Sequence, residues 1–89
     1  MSETTLTIRH PVGLHARPAS LFVQTAKKFQ SEIKVTCNGR EANGKSILSV
    51  LTLGANQGAA LTIRAEGPDA DQALAALTTL IEDNFGEAG

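Results

Sequence analysis

The hydrophobic period of this sequence switches between two and roughly 3.6 along the chain, and that switching restricts the fold more than any other feature. Leu6 and Ile8 are flanked by Thr5, Thr7 and Arg9; Ile33, Val35 and Cys37 alternate with Glu32, Lys34 and Thr36; Leu61, Ile63 and Ala65 alternate with Thr62, Arg64 and Glu66. Each stretch has one apolar and one polar face, the pattern of an antiparallel strand with one side wet. Asn38-Gly39 directly after the second stretch predicts a hairpin and a short strand over residues 40–43. Between the strands the period lengthens. Ala19, Phe22, Val23 and Ala26 stand at i, i+3, i+4 and i+7, predicting a helix over residues 16–29 with Pro18 in its first turn. Residues 46–53 read as a second helix, capped by Ser46 and ended by Gly54. A third follows Pro68-Asp69, with Asp69 as N-cap and Ala70, Ala73, Leu74, Leu77 and Ile81 on one face. The order is β-α-β-β-α-β-α. Three helices on one face of a four-stranded antiparallel sheet satisfy it, giving a two-layer α+β sandwich.

A chain of 89 residues makes one domain, residues 1–89, with no internal linker or repeat. With no Trp, no Tyr and three Phe, its core must come from Leu, Ile, Val and Ala. The formal charge is −1, which argues against a nucleic-acid binder. The balance is uneven, however. Arg9, Arg17, Lys27, Lys28, Lys34, Arg40 and Lys45 crowd the first half, and acidic residues gather near the C-terminus. The lone Cys37 cannot form an internal disulfide, and no apolar run predicts a leader or a membrane span, so a cytoplasmic chain is expected, with a monomer as the default. Residues 86–89 are expected to fray.

The chemistry concentrates in His10-Pro11-Val12-Gly13-Leu14-His15-Ala16-Arg17-Pro18-Ala19-Ser20. A strand ends, a turn follows, and a helix begins just after His15. The amides of a first helical turn have no partner within the helix, and the dipole makes that end positive. A phosphoryl group there would meet several donors at once. Arg17 adds a cation whose fork matches phosphate oxygens. Beside that charge and the positive helix end the imidazolium is disfavoured, so the pKa of His15 should fall and leave a lone pair able to attack phosphorus. A lone histidine at a helix start is more often a surface or capping residue, and His10, at a strand end, is read that way. Metal-ligand spacing, a nucleotide loop, a cofactor motif and a nucleophile–base–orienter set are all missing, so neither a metal centre, a cofactor nor a turnover enzyme is expected.

The stretch Gly13-Leu14-His15-Ala16-Arg17-Pro18-Ala19 resembles the active-site motif of the HPr family, the histidine-containing phosphocarriers of the bacterial phosphoenolpyruvate-dependent sugar phosphotransferase system. A second block, Asn43-Gly44-Lys45-Ser46-Ile47-Leu48-Ser49-Val50-Leu51-Thr52-Leu53-Gly54, resembles that family's serine-site helix. The resemblance implies an open-faced β-sandwich. It implies that enzyme I phosphorylates His15 on Nδ1, that the group passes to the A domain of a sugar permease, and that Arg17, with Ala16 and Pro18 beside it, steadies the phosphate. Ser46 matches the site that an ATP-dependent kinase/phosphatase modifies in many Gram-positive members. As a residue alone, Ser46 reads first as an N-cap.

Helix two is too apolar for one buried face, and Leu21 lies off the stripe of helix one. Leu21, Ile47, Leu48 and Leu51 are therefore expected to form an apolar patch beside His15, ringed by Arg17, Lys27 and Lys45. Ser20, Gln24 and Lys27 complete the candidate partner-binding set. Gln24 stands where many relatives carry Lys. The Glu82-Asp83-Asn84-Phe85-Gly86-Glu87 end resembles nitrogen-branch carriers as much as sugar-branch ones. A nitrogen-branch carrier, a regulatory protein acting on an enzyme or transcriptional regulator through the same surface, and a plain interaction module are the rival readings.

Overall fold

The last strand of the chain threads between the first two, an arrangement that no local pattern announces. A computed structural model describes residues 2–8, 16–54 and 58–83. Its elements are β1 Ser2–Thr7, α1 Ala16–Ala26, β2 Glu32–Cys37, β3 Arg40–Asn43, α2 Ile47–Leu51, β4 Ala60–Glu66 and α3 Ala70–Glu82. One sheet holds all four strands in the order β1-β4-β2-β3, every neighbouring pair antiparallel. The expected element order and the α+β sandwich are both found.

Alternation sorts the side chains. Ile33, Val35, Cys37, Ala42, Leu61, Ile63 and Ala65 are buried under the helices. Ala19, Phe22, Val23 and Ala26 of α1, Val50 of α2, and Ala70, Ala73, Leu77 and Ile81 of α3 meet them from above. The other face is polar. Across it the hydroxyls of Thr5 and Thr62 pair at 3.0 Å, and Arg64 donates to Glu3 Oε2 at 3.1 Å. In β1 the inward positions Ser2, Thr4 and Leu6 are only half-buried, because this strand lies at the sheet edge. Asn38 and Gly39 both take positive φ, 54° and 77°, as a two-residue hairpin with the twist of its strands requires.

Helix boundaries are tighter than the periodicity predicts. Helix α1 stops at Ala26 rather than residue 29: Lys28 and Phe29 donate to the carbonyls three residues back, a narrowed last turn. Helix α2 covers Ile47–Leu51, because Leu53 and Gly54 likewise bond three back, to Val50 and Leu51. Ser46 does cap α2, its Oγ accepting from the Ser49 amide at 3.3 Å.

Asp69 does not cap α3 with its side chain. Its carboxylate instead reaches 38 and 39 residues back in sequence, accepting from the amides of Gln30 and Ser31, each at 2.9 Å, and from the Ser31 hydroxyl. The Asp69 amide donates to Ser31 Oγ at 3.2 Å. Local sequence cannot announce this preference, because the competing donors come from the α1–β2 connection. The Ser31 hydroxyl first, and then the Gln30 amide, hold the Asp69 carboxyl below its ordinary range. A depressed folded pKa stabilises the fold above the unfolded value of about 4 and loses that contribution as pH falls through the folded value. Denaturant midpoints measured below about pH 4 should therefore fall more steeply for the native chain than for Asp69→Asn. At pH 7 the variant should be the less stable. Equal slopes would show that the carboxylate contributes nothing.

Candidate functional site

The amino end of α1 begins at Ala16, the residue after His15. Residues 9–15, including His10 and the expected phosphorylation site His15, lie outside the described residues, as do residues 86–89. The described part of the site is formed by α1 and α2. Arg17 is exposed in the first turn of α1, and Pro18 beside it is fully buried. A proline here removes an amide that no earlier helical turn could have bonded, and its burial pins the turn to the core. The first amides of a helix have no acceptor in a preceding turn, so this end carries the positive pole. Farther along, Gln24 Nε2 donates to Ser20 Oγ at 3.0 Å, joining two of the candidate partner-binding residues on the solvent side of α1. Lys27 is exposed just past the helix.

Helix α2 packs against α1 and β3. Val50 within it and Leu53 just after it are buried, which turns the opposite side outward. Ile47 is 40% exposed and Leu48 78%, and these are the large hydrophobics exposed among the described residues. Leu21 and Leu51 behave differently from the expectation of an exposed quartet: both are partly buried and packed against the core. The apolar surface is thus a ridge of two residues, Ile47 and Leu48. Leu48 and Leu51 stand three apart in the same short helix, yet Leu48 is exposed and Leu51 packs against the core.

The expected ring of cations also changes. The ammonium of Lys45 donates to the Phe29 carbonyl at 2.7 Å, and Arg40 Nη1 donates to the Thr52 carbonyl at 3.0 Å. In the sequence both count only as charge. Their partners lie 16 and 12 residues away and carry no side-chain signal, because the acceptors are backbone carbonyls. Ser46 is half-buried and keeps its hydroxyl on the α2 cap. Cys37 is buried, and burial pushes its thiol upward, away from the reactive thiolate. Among the described residues no group of three His, Cys, Asp or Glu could hold a metal ion, and no helix is long and apolar enough to cross a membrane.

Comparison with known proteins converges on one family. The family model described as "PTS HPr component phosphorylation site" matches residues 2–83. A phosphocarrier protein HPr of Xylella fastidiosa is 44% identical over 87 residues, 98% of each chain. The crystal structure of HPr from Thermoanaerobacter tengcongensis superposes with a TM-score of 0.96 at 48% identity, covering all of both chains. A structure of an HPr dimer from the same organism matches at 0.79 and 49% identity, covering 98% of this chain and 100% of that one.

Proposed function

The chain belongs to the HPr family of phosphocarrier proteins, and from this membership we propose that His15 takes a phosphoryl group on Nδ1 from phosphorylated enzyme I and yields it to the A domain of a sugar permease. The observation that carries this reading is the start of α1 immediately after His15, with Arg17 exposed in its first turn. Helix amides and a guanidinium stabilise a phosphorylated ring by hydrogen bonds and charge, with no covalent bond to it. Such stabilisation is moderate, which a carrier needs, since the next acceptor must take the group away. The partners dock on the ridge of Ile47 and Leu48. Ser46 offers a second site for an ATP-dependent kinase/phosphatase, and a phosphate there would add about −1.5 to −2 charge beside the ridge and weaken docking by repulsion.

Incubation with enzyme I and labelled phosphoenolpyruvate tests the reading. One phosphate should appear, labile to acid and stable to alkali. A label that survives acid, or none at all, refutes transfer through a histidine. The ridge has its own test. Leu48→Asp should raise the KM for phosphorylation by enzyme I about tenfold while leaving thermal stability nearly unchanged, because an exposed side chain contributes little to folding but much to a desolvated interface. An unaltered KM would move docking elsewhere.

A further inference from the structure

Helix α2, only five residues long, is held at both ends by basic side chains that donate to backbone carbonyls of other segments. At its carboxyl end Arg40 reaches Thr52. At its amino end the geometry is less ordinary. A cation is disfavoured near a helix amino terminus, yet Lys45 stands one residue before the Ser46 cap. Its ammonium is turned away and lies on the carbonyl of Phe29, in the turn that closes α1. That is the negative end of α1, where a cation is favoured. The backbone around Lys45 is fixed as well. Its amide donates to Asn43 Oδ1 at 2.9 Å, the Gly44 amide to the Ile33 carbonyl at 2.8 Å, and the Ser46 amide to the Asn43 carbonyl at 3.1 Å. A Cβ on Gly44 would lie 2.5 Å from Ile33 Cγ2, so that turn sits hard against β2. Lys45 therefore extends from a hydrogen-bonded, closely packed base, and its side chain spans from the start of one docking helix to the turn that closes the other.

We propose that Lys45 is a positioning residue for phosphoryl transfer: by bonding the Phe29 carbonyl it fixes α2 relative to α1, and so aligns the Ile47–Leu48 ridge with the Arg17 end of α1. This rests on the reading that partners dock across both helices. It assigns Lys45 a different part from that of a steering charge on the rim, and the two parts respond differently to salt. A steering charge is screened, and at about 1 M salt, where the Debye length is about 3 Å, its effect on association disappears. A half-buried bond that sets geometry is not screened in this way.

The experiment compares Lys45→Met, which keeps the length of the side chain and removes its donors, with Lys45→Arg, which keeps a donor, and with Lys27→Gln, which removes an exposed rim charge. With enzyme I as donor, Lys45→Met should raise KM about tenfold with kcat within about twofold of the native value, since a hydrogen bond to a charged donor is lost and the transfer chemistry is untouched. The increase should persist at high salt, whereas that of Lys27→Gln should vanish. Amide exchange at Val50 and Thr52, which bond within and at the end of α2, should quicken about tenfold in Lys45→Met and return toward native in Lys45→Arg. Exchange unchanged in Lys45→Met, no rise in KM, or a rise that salt abolishes overturns the proposal. The exchange measurement needs no partner. If enzyme I fails to phosphorylate the native chain, the functional reading falls while exchange still decides whether Lys45 holds α2.

Discussion

The His15→Ala chain should accept no acid-labile phosphoryl group from enzyme I, and Arg17→Gln should accept it about a hundredfold more slowly, the usual cost of deleting one preorganised donor at a developing anion. The difference between the two follows from their parts. In the proposed transfer His15 supplies the lone pair that forms the P–N bond, and its removal takes away the proposed acceptor atom. Arg17 forms no bond to phosphorus. In the same proposal its guanidinium, exposed in the first turn of α1, stabilises charge on the transferred group alongside the helix amides, which remain in the variant. The measurement is the initial rate of label incorporation at fixed enzyme I and phosphoenolpyruvate, with a far-ultraviolet circular dichroism spectrum to establish that each variant is folded. Full labelling of His15→Ala would place the carrier atom elsewhere and end the assignment. An unchanged rate in Arg17→Gln would leave the helix amides as the whole phosphate site.

Phe22→Ala should remove about 3–5 kcal/mol of stability, the range for truncating a fully buried aromatic. Phe22 is 0% exposed and is the largest of the fully buried side chains. It stands mid-way along the buried stripe of α1, where Ala19 and Ala26 on either side are too small to close the cavity. With no Trp or Tyr in the chain, its aromatic volume has no substitute. A domain of this size has about 0.05–0.15 kcal/mol per residue in hand, so the loss takes a large share of the total. The melting temperature should drop by about 12–40 °C, at about 4–8 °C per kcal/mol for a small domain. Urea unfolding monitored by circular dichroism measures it. A loss under about 1 kcal/mol would mean that α1 is not seated by this residue. The effect reaches function because the same helix carries Arg17 on its outer side. A loosened α1 no longer presents its amino end at a fixed place.

Local pattern was enough to locate the elements. Period-two alternation marks β2 and β4, Asn38-Gly39 marks the hairpin, and the stripe through Phe22 marks α1, because each is a short-range consequence of backbone geometry. The family is legible in two motifs, since Gly13 to Ala19 and Asn43 to Gly54 are continuous in the chain. Where polar groups find partners across long separations is a property of the folded chain alone. Asp69 turns from its own helix to Ser31, Lys45 reaches past α2 to the Phe29 carbonyl, and β4 enters between β1 and β2. Folding likewise leaves Leu48 in solvent while Leu51, three residues on, packs inward. One cause underlies all four. A helix period or a strand period states which face is apolar, but which neighbour covers that face, and which carbonyl comes within reach of a cation, depends on segments that meet only after the chain has folded.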